Sequence, residues 1–434
     1  MTEAAKKNIV VIGSGIVGAC SALELVRDGH QVTLLDIGEA GGRQAASYGH
    51  GCWISPASVV PMSTPGLWKK IPGFLLDRRG PLVIRWRNLI QLLPWLLRFL
   101  VAGSSLRRVE ATALALDKLL HDSPERHEAL ALEVGSPALI RKEGLLYVYP
   151  DRQAFEEEKI SWRLRKLTGL RWQELDKPAL KAREPGLDNR YGFGILAERG
   201  AHCVDPGAYV AKIVDKVRER GGQIIHTKAT GFHLKDGCLQ GVETEFGILA
   251  CNAAVVSAGA WSKPLALDAG DHVFLESERG YHTVLKIDAE GPRHPIMPSD
   301  GKMANTPTLA GLRLSGQVEL ASINAEPNWE RADILVEHAR TSYPALNTAG
   351  LRILDRWMGH RPSTPDGLPV IGRSTVSPDV FYAFGHGHVG FASGPMTGKI
   401  VANYFGGRRM ALDLSAYSPR RFSRKRRKLE RALS

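Results

Sequence analysis

Residues 8–36 read NIVVIGSGIVGACSALELVRDGHQVTLLD and carry the strongest structural signal in the chain. The β-branched run Ile9–Ile12 predicts a short buried strand, and the glycine-rich residues 13–18 predict a tight turn. Small and apolar residues at helical spacing follow, and a second apolar run ends in Asp36. The order strand, turn, helix and strand is typical of a βαβ unit that binds a dinucleotide.

Each glycine of this turn has its own task. Gly13 permits the sharp turn, Gly15 lets backbone amides approach a pyrophosphate, and Gly18 lets the helix lie close to the strand. The carboxylate of Asp36 can accept hydrogen bonds from a ribose hydroxyl. The predicted cofactor contacts here are Gly13, Gly15, Ile16, Val17, Gly18 and Asp36. This motif alone does not separate NAD from FAD.

A second glycine-rich turn lies near the other end of the sequence. Residues 380–406 read VFYAFGHGHVGFASGPMTGKIVANYFG, which predicts a strand, a turn and a helix from near Gly390 to Gly406. A helix N-terminus carries roughly half a positive charge. At the pyrimidine end of a flavin it would stabilise the anion formed on reduction, whereas the nicotinamide of NAD gains no such anion. The two turns together therefore favour FAD.

The charge of the chain is unevenly distributed. The 434 residues are 44% hydrophobic and 24% charged, as expected for a globular protein of roughly two to three domains. The net charge of +12 comes from residues 69–108, with nine basic and one acidic residue, and from residues 420–434, with eight and one, while the remaining residues sum to about −3. Because the rest is close to neutral, no nucleic-acid partner is predicted.

Cysteine usage and the N-terminus indicate a cellular compartment. The five cysteines stand singly, without a C-x-x-C pair, so neither a metal site nor a disulfide framework is predicted. This usage fits a reducing compartment. The opening MTEAAKKN has no signal-peptide pattern, and no uninterrupted apolar run is long enough for a spanning helix. We expect a cytoplasmic protein.

Residues 82–102 read LVIRWRNLIQLLPWLLRFLVA and predict an amphipathic helix that Pro94 breaks or kinks. The apolar stripe is Leu82, Trp86, Leu89, Leu93, Leu96 and Leu100, and Arg87, Gln91 and Arg98 fall opposite. With basic flanks, this composition is typical of a helix in an anionic membrane interface, here the inner face of the cytoplasmic membrane. The alternative is a helix whose stripe packs in the core. The basic tail is either a second electrostatic contact or a solvated end.

Several motifs follow one another along the chain. They are VVIGSGIVG with Asp36, SYGHGCWISP (47–56), VDPGAYV (204–210), VVSAGAWS (255–262), RGYH (279–282), GHRPSTPDGLPVIG (359–372) and GHGHVG (385–390). In this order the chain resembles the FAD-dependent D-amino-acid oxidase superfamily, and within it the small subunit of bacterial D-amino-acid dehydrogenases. The resemblance covers nearly the whole chain and is more specific for the superfamily than for the substrate.

The resemblance implies an α/β (α+β) fold with two domains. One is a discontinuous Rossmann-like FAD-binding domain of the D-amino-acid oxidase/glutathione-reductase-2 type, expected over residues 1–60, 190–262 and 355–415. The other is an antiparallel-sheet substrate or cap domain, expected over residues 61–189 and 263–354. Residues 416–434 would form the basic tail.

The resemblance also implies contacts with FAD beyond the first turn. They are Ser47, His50, Gly51, Ala258, Gly259, Trp261, Gly385, His386, Gly387, Val389 and Gly390. His50 replaces the Asn of the usual Ser-x-x-Asn-Ala-Gly pattern. In a dimethylglycine-dehydrogenase-like branch, a His in a similar context is joined covalently to the flavin. One hypothesis is therefore a covalent bond to His50, and the other is an unlinked imidazole that contacts the ring.

Four residues are candidates for substrate chemistry. Arg361 stands at the carboxylate-binding Arg of the family's G-x-R-P motif, and its planar fork matches a carboxylate. Alternatively, it braces a loop or pairs with Asp366. Tyr281 and His282 could bind the carboxylate or orient the amine, or could pack in the core. His388 could handle a proton or only make a hydrogen bond.

The reaction implied is oxidative deamination of a small D-amino acid. A hydride would pass from the α carbon to FAD, and the imine would hydrolyse to a 2-oxo acid and ammonia. The basic apolar segment favours a quinone or another acceptor that is not dioxygen. The alternatives are oxidation of a secondary amino acid such as hydroxyproline, proline or sarcosine and, more remotely, RNA modification, which the near-neutral body of the chain disfavours.

Overall fold

The structure is a computed structural model that describes residues 6–68, 80, 82–85, 88–348, 350–410 and 412–423. The chain divides into two compact units, and both are discontinuous in sequence. The first is Met1–Tyr48, Gly207–Glu276 and Arg361–Ser434, and the second is Gly49–Pro206 and Ser277–His360. Helices and sheets occur in both units, which confirms the α/β class. The assignment of cofactor and substrate to particular ranges stays a prediction.

The first unit is built on a six-stranded sheet. Side by side, its strands are Gln223–His226, Gln31–Asp36, Asn8–Ile12, Ala253–Val256, Val380–Phe384 and Val370–Arg373. Neighbours are parallel except for the last pair, which is antiparallel. The central strands are continuous buried apolar runs, as expected for a parallel sheet covered on both faces.

In the part of the first unit that the structure describes, four helices and a small sheet complete the architecture. The helices are Ile16–Arg27, Pro206–Glu219, Ser262–Asp268 and Gly390–Phe405, with 3-10 turns at Gly259–Trp261 and Pro419–Phe422. The small antiparallel sheet comprises Ala229–Lys235, Cys238–Thr244 and Gly247–Ala250. A Cβ at Gly398 would lie 2.7 Å from the backbone of Cys20, so glycine lets the last helix pack closely on the first.

The second unit contains a nine-stranded, mostly antiparallel sheet. Along it lie Leu351–Ser363, Glu276–Ile287, Gly311–Leu320, Ala304–Thr308, Ile296–Pro298, Leu145–Tyr149, Phe193–Ala197 and Gln173–Leu175, and Leu82–Ile84 also pairs with Gly311–Leu320. A short antiparallel sheet comprises Trp53–Ile54, Ala201–Cys203 and Ile140–Arg141. The predicted antiparallel sheet is therefore present, and Leu82–Ile84 and Ile296–Pro298 each also pair in parallel with one neighbour.

The described part of the second unit also contains seven helices. They are Leu89–Ala102, Leu106–Leu120, Ser123–Glu133, Arg152–Glu157, Lys159–Leu167, Lys177–Arg183 and Glu330–Ser342, with 3-10 turns at Pro137–Leu139 and Pro344–Asn347. Helix Glu330–Ser342 contributes Leu335 and Ala339 to one core, which also contains Tyr281. A second core is aromatic and includes Trp53 and Trp162.

The predicted helix over residues 82–102 is wrong in its first part. Leu82–Ile84 forms a strand that pairs in parallel with Gly311–Leu320. This short run contains two β-branched residues, which suit a sheet better than a helix. Two residues of the predicted amphipathic pattern, Trp86 and Arg87, lie outside the described residues. The helix itself begins at Leu89 and continues through Pro94 to Ala102.

The exposed face of helix Leu89–Ala102 also differs from the predicted stripe. Leu92 and Trp95 are buried, each only 2% exposed. Ile90 is 87% exposed, and further exposed apolar side chains are Leu93, Leu97 and Val101, at 48%, 55% and 51%. Their spacing of three and four residues puts them on one side of the helix. An apolar stripe faces outward, but Leu96 and Leu100 are only partly exposed.

The sequence predicts two regions that could contact a membrane, the amphipathic segment and the basic tail. Among the described residues, no single helix is long and apolar enough to cross a membrane, and the pair Leu89–Ala102 and Leu106–Glu133, bent by 97°, meets those criteria only together. The predicted basic tail is described to residue 423. Within it Tyr417 is fully buried, and Arg421 Nε lies 2.8 Å from Asp366 Oδ2.

Candidate active site

The first glycine turn has the geometry that its motif requires. Gly13 has a φ of +101°, and a Cβ there would lie 2.6 Å from the carbonyl oxygen of Ser257. A Cβ at Gly18 would lie 1.8 Å from the carbonyl oxygen of Gly13. At Gly15, by contrast, a Cβ would meet only Ser47 Oγ, at 3.5 Å. Gly15 therefore leaves an open approach to the helix that follows, as a pyrophosphate needs.

The helix that begins at Ile16 presents its N-terminus at this turn. The backbone N–H of Ile16 donates to Ser47 Oγ at 2.9 Å, so Ser47 caps the helix from another segment. Val17 and Gly18 carry the next amides of the first helical turn. These amides and the positive end of the helix dipole favour an anion. The residues present therefore fit the pyrophosphate of FAD.

Asp36 is fixed beside the same turn by hydrogen bonds to both carboxylate oxygens. Its Oδ2 accepts from the N–H and the hydroxyl of Ser14, at 2.6 and 2.7 Å. Its Oδ1 accepts from the N–H of Gly38 at 3.1 Å and from Gln44 Nε2 at 3.3 Å. The carboxylate stands at the end of its strand, where it can accept a ribose hydroxyl.

The VVSAGAWS motif is tied to the first turn by a residue that the sequence analysis missed. The hydroxyl of Ser257 lies 3.2 Å from the carbonyl oxygen of Gly13 and can donate to it. The predicted contacts Ala258, Gly259 and Trp261 follow directly, and the Trp261 side chain is 43% exposed. A small hydroxyl residue directly after a buried strand was the signal that could have found Ser257.

The turn before the last helix is formed by glycines in the left-handed region. Gly385 and Gly387 have φ of +80° and +53°. The N–H of Gly387 donates to the carbonyl of Pro362 at 2.9 Å. The helix then begins at Gly390, and its N-cap residue Val389 has no side chain that can cap it. Its first amides therefore suit a ligand acceptor.

The two histidines of this turn have different surroundings. His386 is buried, and its Nε2 lies 3.1 Å from Thr397 Oγ1 in the last helix. Burial lowers the pKa of His386 to about 3, so its ring is neutral at ordinary pH. His388 is exposed. His386 therefore fixes the turn to the helix, whereas His388 is accessible for proton handling.

In the second unit, backbone carbonyls hold the predicted segment around His50. The carbonyl of His50 accepts from Arg313 Nη1 at 3.2 Å, and that of Gly51 accepts from Thr306 Oγ1 at 3.1 Å. Cys52, which stands where the family pattern ends in glycine, has a φ of +70°. Burial raises the pKa of its thiol to about 11, so the thiol is neutral.

Tyr281 and His282 are consecutive residues of strand Glu276–Ile287, but their side chains have different partners. The Tyr281 hydroxyl donates to Glu319 Oε2 at 2.6 Å and accepts from the N–H of Asn328 at 3.0 Å. Burial raises the pKa of Tyr281 to about 12. Tyr281 belongs to the core under helix Glu330–Ser342. Because consecutive side chains of a strand point to opposite faces, His282 lies on the other face of the sheet.

His282 is held by two residues that the sequence analysis missed. Its Nε2 lies 3.0 Å from Asp355 Oδ2, and its ring stacks on Trp357 with centroids 5.4 Å apart. Burial lowers the pKa of His282, and the Asp355 carboxylate opposes that shift. Both partners stand in strand Leu351–Ser363, the strand that also carries Arg361. Their spacing of two residues, which puts both on one face of a strand, was the only signal in the sequence.

The first unit defines a class of protein: a parallel sheet with a glycine turn, an open helix N-terminus and a carboxylate on the next strand is a dinucleotide-binding fold. A family model described as FAD dependent oxidoreductase (DAO) matches residues 8–404. The chain belongs to this family of FAD-dependent oxidoreductases. The predicted cofactor and the predicted superfamily are thereby confirmed.

Relatives agree over nearly the full length. The chain is 47% identical to a D-amino-acid oxidase of Bradyrhizobium diazoefficiens, over 96% of this chain and 99% of the relative. It is 28% identical to a D-amino acid dehydrogenase of Paramagnetospirillum magneticum, over 96% and 99%. The solved L-proline dehydrogenase of P. horikoshii has the same fold, with a TM-score of 0.73, 22% identity and coverage of 97% and 99%.

Proposed function

We propose that this enzyme oxidises D-amino acids to 2-oxo acids and ammonia. The observation that carries the proposal is the 47% identity to a D-amino-acid oxidase over almost all of both chains. FAD, when bound, supplies the hydride acceptor. The chain must then bind the substrate carboxylate, orient the amine, and provide a route for its proton.

We assign these tasks to three of the predicted residues. Arg361 binds the carboxylate through its guanidinium fork. His388, exposed before the last helix, takes or relays the amine proton. His282 acts indirectly, because its ring is fully buried and stacks on Trp357. Tyr281 supports that strand through Glu319 and does not contact the substrate in this proposal.

A substrate panel tests the proposal. The purified holoenzyme is assayed with an artificial electron acceptor on D- and L-amino acids, hydroxyprolines and N-methyl glycines, while peroxide is monitored. The proposal expects turnover of D-amino acids, with release of ammonia and a 2-oxo acid. Turnover confined to L- or N-alkyl amino acids would contradict it.

For the electron acceptor we propose a membrane quinone, although the relatives carry both oxidase and dehydrogenase names. The support is the outward apolar face of helix Leu89–Ala102, formed by Ile90, Leu93, Leu97 and Val101. Arg107 and Arg108, both exposed, follow this helix and suit an anionic lipid surface. In air, the proposal expects little peroxide without quinone and faster turnover with a soluble quinone.

A further inference from the structure

We propose that His282, Asp355 and Trp357 form a positioning unit for the segment Gly49–Gly51. In this unit the Asp355 carboxylate contacts the His282 imidazole, and the imidazole stacks on the Trp357 indole. The indole in turn packs against the backbone of Gly49. The segment includes two of the residues predicted to contact FAD, His50 and Gly51. The inference rests on the proposed amino-acid oxidation for its kinetic readout, whereas its flavin readouts do not depend on the substrate.

The first step is the contact between His282 and its two partners. The imidazole is fully buried, and its Nε2 lies 3.0 Å from Asp355 Oδ2. Its ring lies nearly parallel to the Trp357 indole, at 19° and with centroids 5.4 Å apart. A buried polar pair of this kind fixes one arrangement, whereas apolar side chains of the same size can pack in several. The pair therefore holds the indole in one orientation.

The second step is the slot that receives the indole. A Cβ at Gly49 would lie 1.9 Å from the Trp357 ring, and a Cβ at Gly359 would also lie 1.9 Å from it. No side chain fits at either position unless the indole moves. The indole therefore lies directly against the backbone of Gly49, one residue before His50.

The third step is that hydrogen bonds anchor the backbone of the same segment. The carbonyls of His50 and Gly51 accept hydrogen bonds from Arg313 and Thr306, at 3.2 and 3.1 Å. Neighbouring strands of one sheet supply these donors. With Trp357 against Gly49 and these donors on the next two carbonyls, the segment has little freedom. A small displacement of the reacting groups is costly in rate, so this rigidity matters for catalysis.

Two conservative variants test the unit, Asp355→Asn and Trp357→Phe. Both are expected to fold and retain FAD, with a changed visible spectrum and midpoint potential of the bound flavin. For the substrate found in the panel, kcat is expected to fall about tenfold, with a smaller change in KM. The matched control is Asp333→Asn, which breaks an exposed ion pair between helix Glu330–Ser342 and Arg356, the residue after Asp355. If both variants keep the wild-type spectrum, potential and kcat, the inference is wrong.

A double variant tests the packing of the Trp357 indole against Gly49. Gly49→Ala is expected to disturb the flavin spectrum strongly, because its Cβ collides with the indole. Adding Trp357→Leu removes the collision, so the double variant is expected to have the spectrum of Trp357→Leu alone, and the two effects are not additive. Simple additivity would contradict the inference. If the spectra behave as expected while no amino acid is oxidised, the proposed function fails and the positioning unit stands.

Discussion

Asp36 illustrates how one side chain is prepared for its ligand. Ser14 donates twice to the carboxylate, so the group is already oriented when a ribose approaches. Asp36→Ala is expected to weaken FAD binding about tenfold to a hundredfold, since a charge-assisted hydrogen bond contributes about 1.5–3 kcal/mol. Flavin-fluorescence titration of the apoprotein measures this. Asp28→Asn, which breaks a surface pair with Arg408, is the control and should bind FAD normally.

Arg361 carries the proposed recognition of the substrate carboxylate. Arg361→Ala is expected to raise KM for amino acids about thirtyfold or more, which corresponds to about 2 kcal/mol of lost charge-assisted binding. Steady-state kinetics with an artificial acceptor measure the change. Arg352→Ala, at an exposed position in the same strand, is the matched control. A KM within about twofold of wild type would remove Arg361 from the site.

Buried histidines predict how stability depends on pH. Burial lowers the pKa of His386 to about 3, whereas an unfolded histidine binds a proton near pH 6.5. Because the unfolded chain then binds more protons, stability is expected to fall below pH 6.5, by up to about 1.4 kcal/mol per pH unit for this group. Urea unfolding at pH 7 and pH 5 measures the loss, and His386→Asn is expected to reduce it. An unchanged pH dependence in the variant would refute the assignment.

At the level of elements, the outward face of helix Leu89–Ala102 makes the clearest prediction. The double variant Leu93→Glu and Leu97→Glu places two charges on this face and is expected to abolish flotation with anionic vesicles, while turnover with a soluble acceptor persists. Leu132→Glu, at an exposed leucine of another helix, is the control and should still float. If the double variant floats as well as wild type, the helix is not the membrane contact.

The same elements show what local sequence can and cannot predict. The glycine turns at Gly13 and Gly387 were predictable, because only glycine adopts their conformation readily. The strand Leu82–Ile84 was not, since it exists only through pairing with a strand far along the chain. Which face of helix Leu89–Ala102 is exposed likewise depends on what packs against its other side. Local periodicity does not predict those tertiary neighbours.

At the scale of the whole molecule, the sequence alone was enough to predict the family, the cofactor and the sheet of the first unit. It was less informative about the second unit, where the important contacts join distant residues. His282 and Asp355 are 73 residues apart, and Tyr281 contacts Glu319 on the neighbouring strand, which lies far along the chain. Such pairs follow from strand order and register, which no single motif encodes. The individual site residues therefore remain predictions that kinetics and spectra must test.

Anaerobic titration of the purified protein, followed in the flavin absorption band, tests the central claim most directly. That claim is that bound FAD oxidises an amino acid whose carboxylate is recognised by the protein. We expect a yellow protein that is bleached by a D-amino acid and not by the corresponding decarboxylated amine. A colourless protein that takes up no added FAD, or equal bleaching by the amine, would contradict the account.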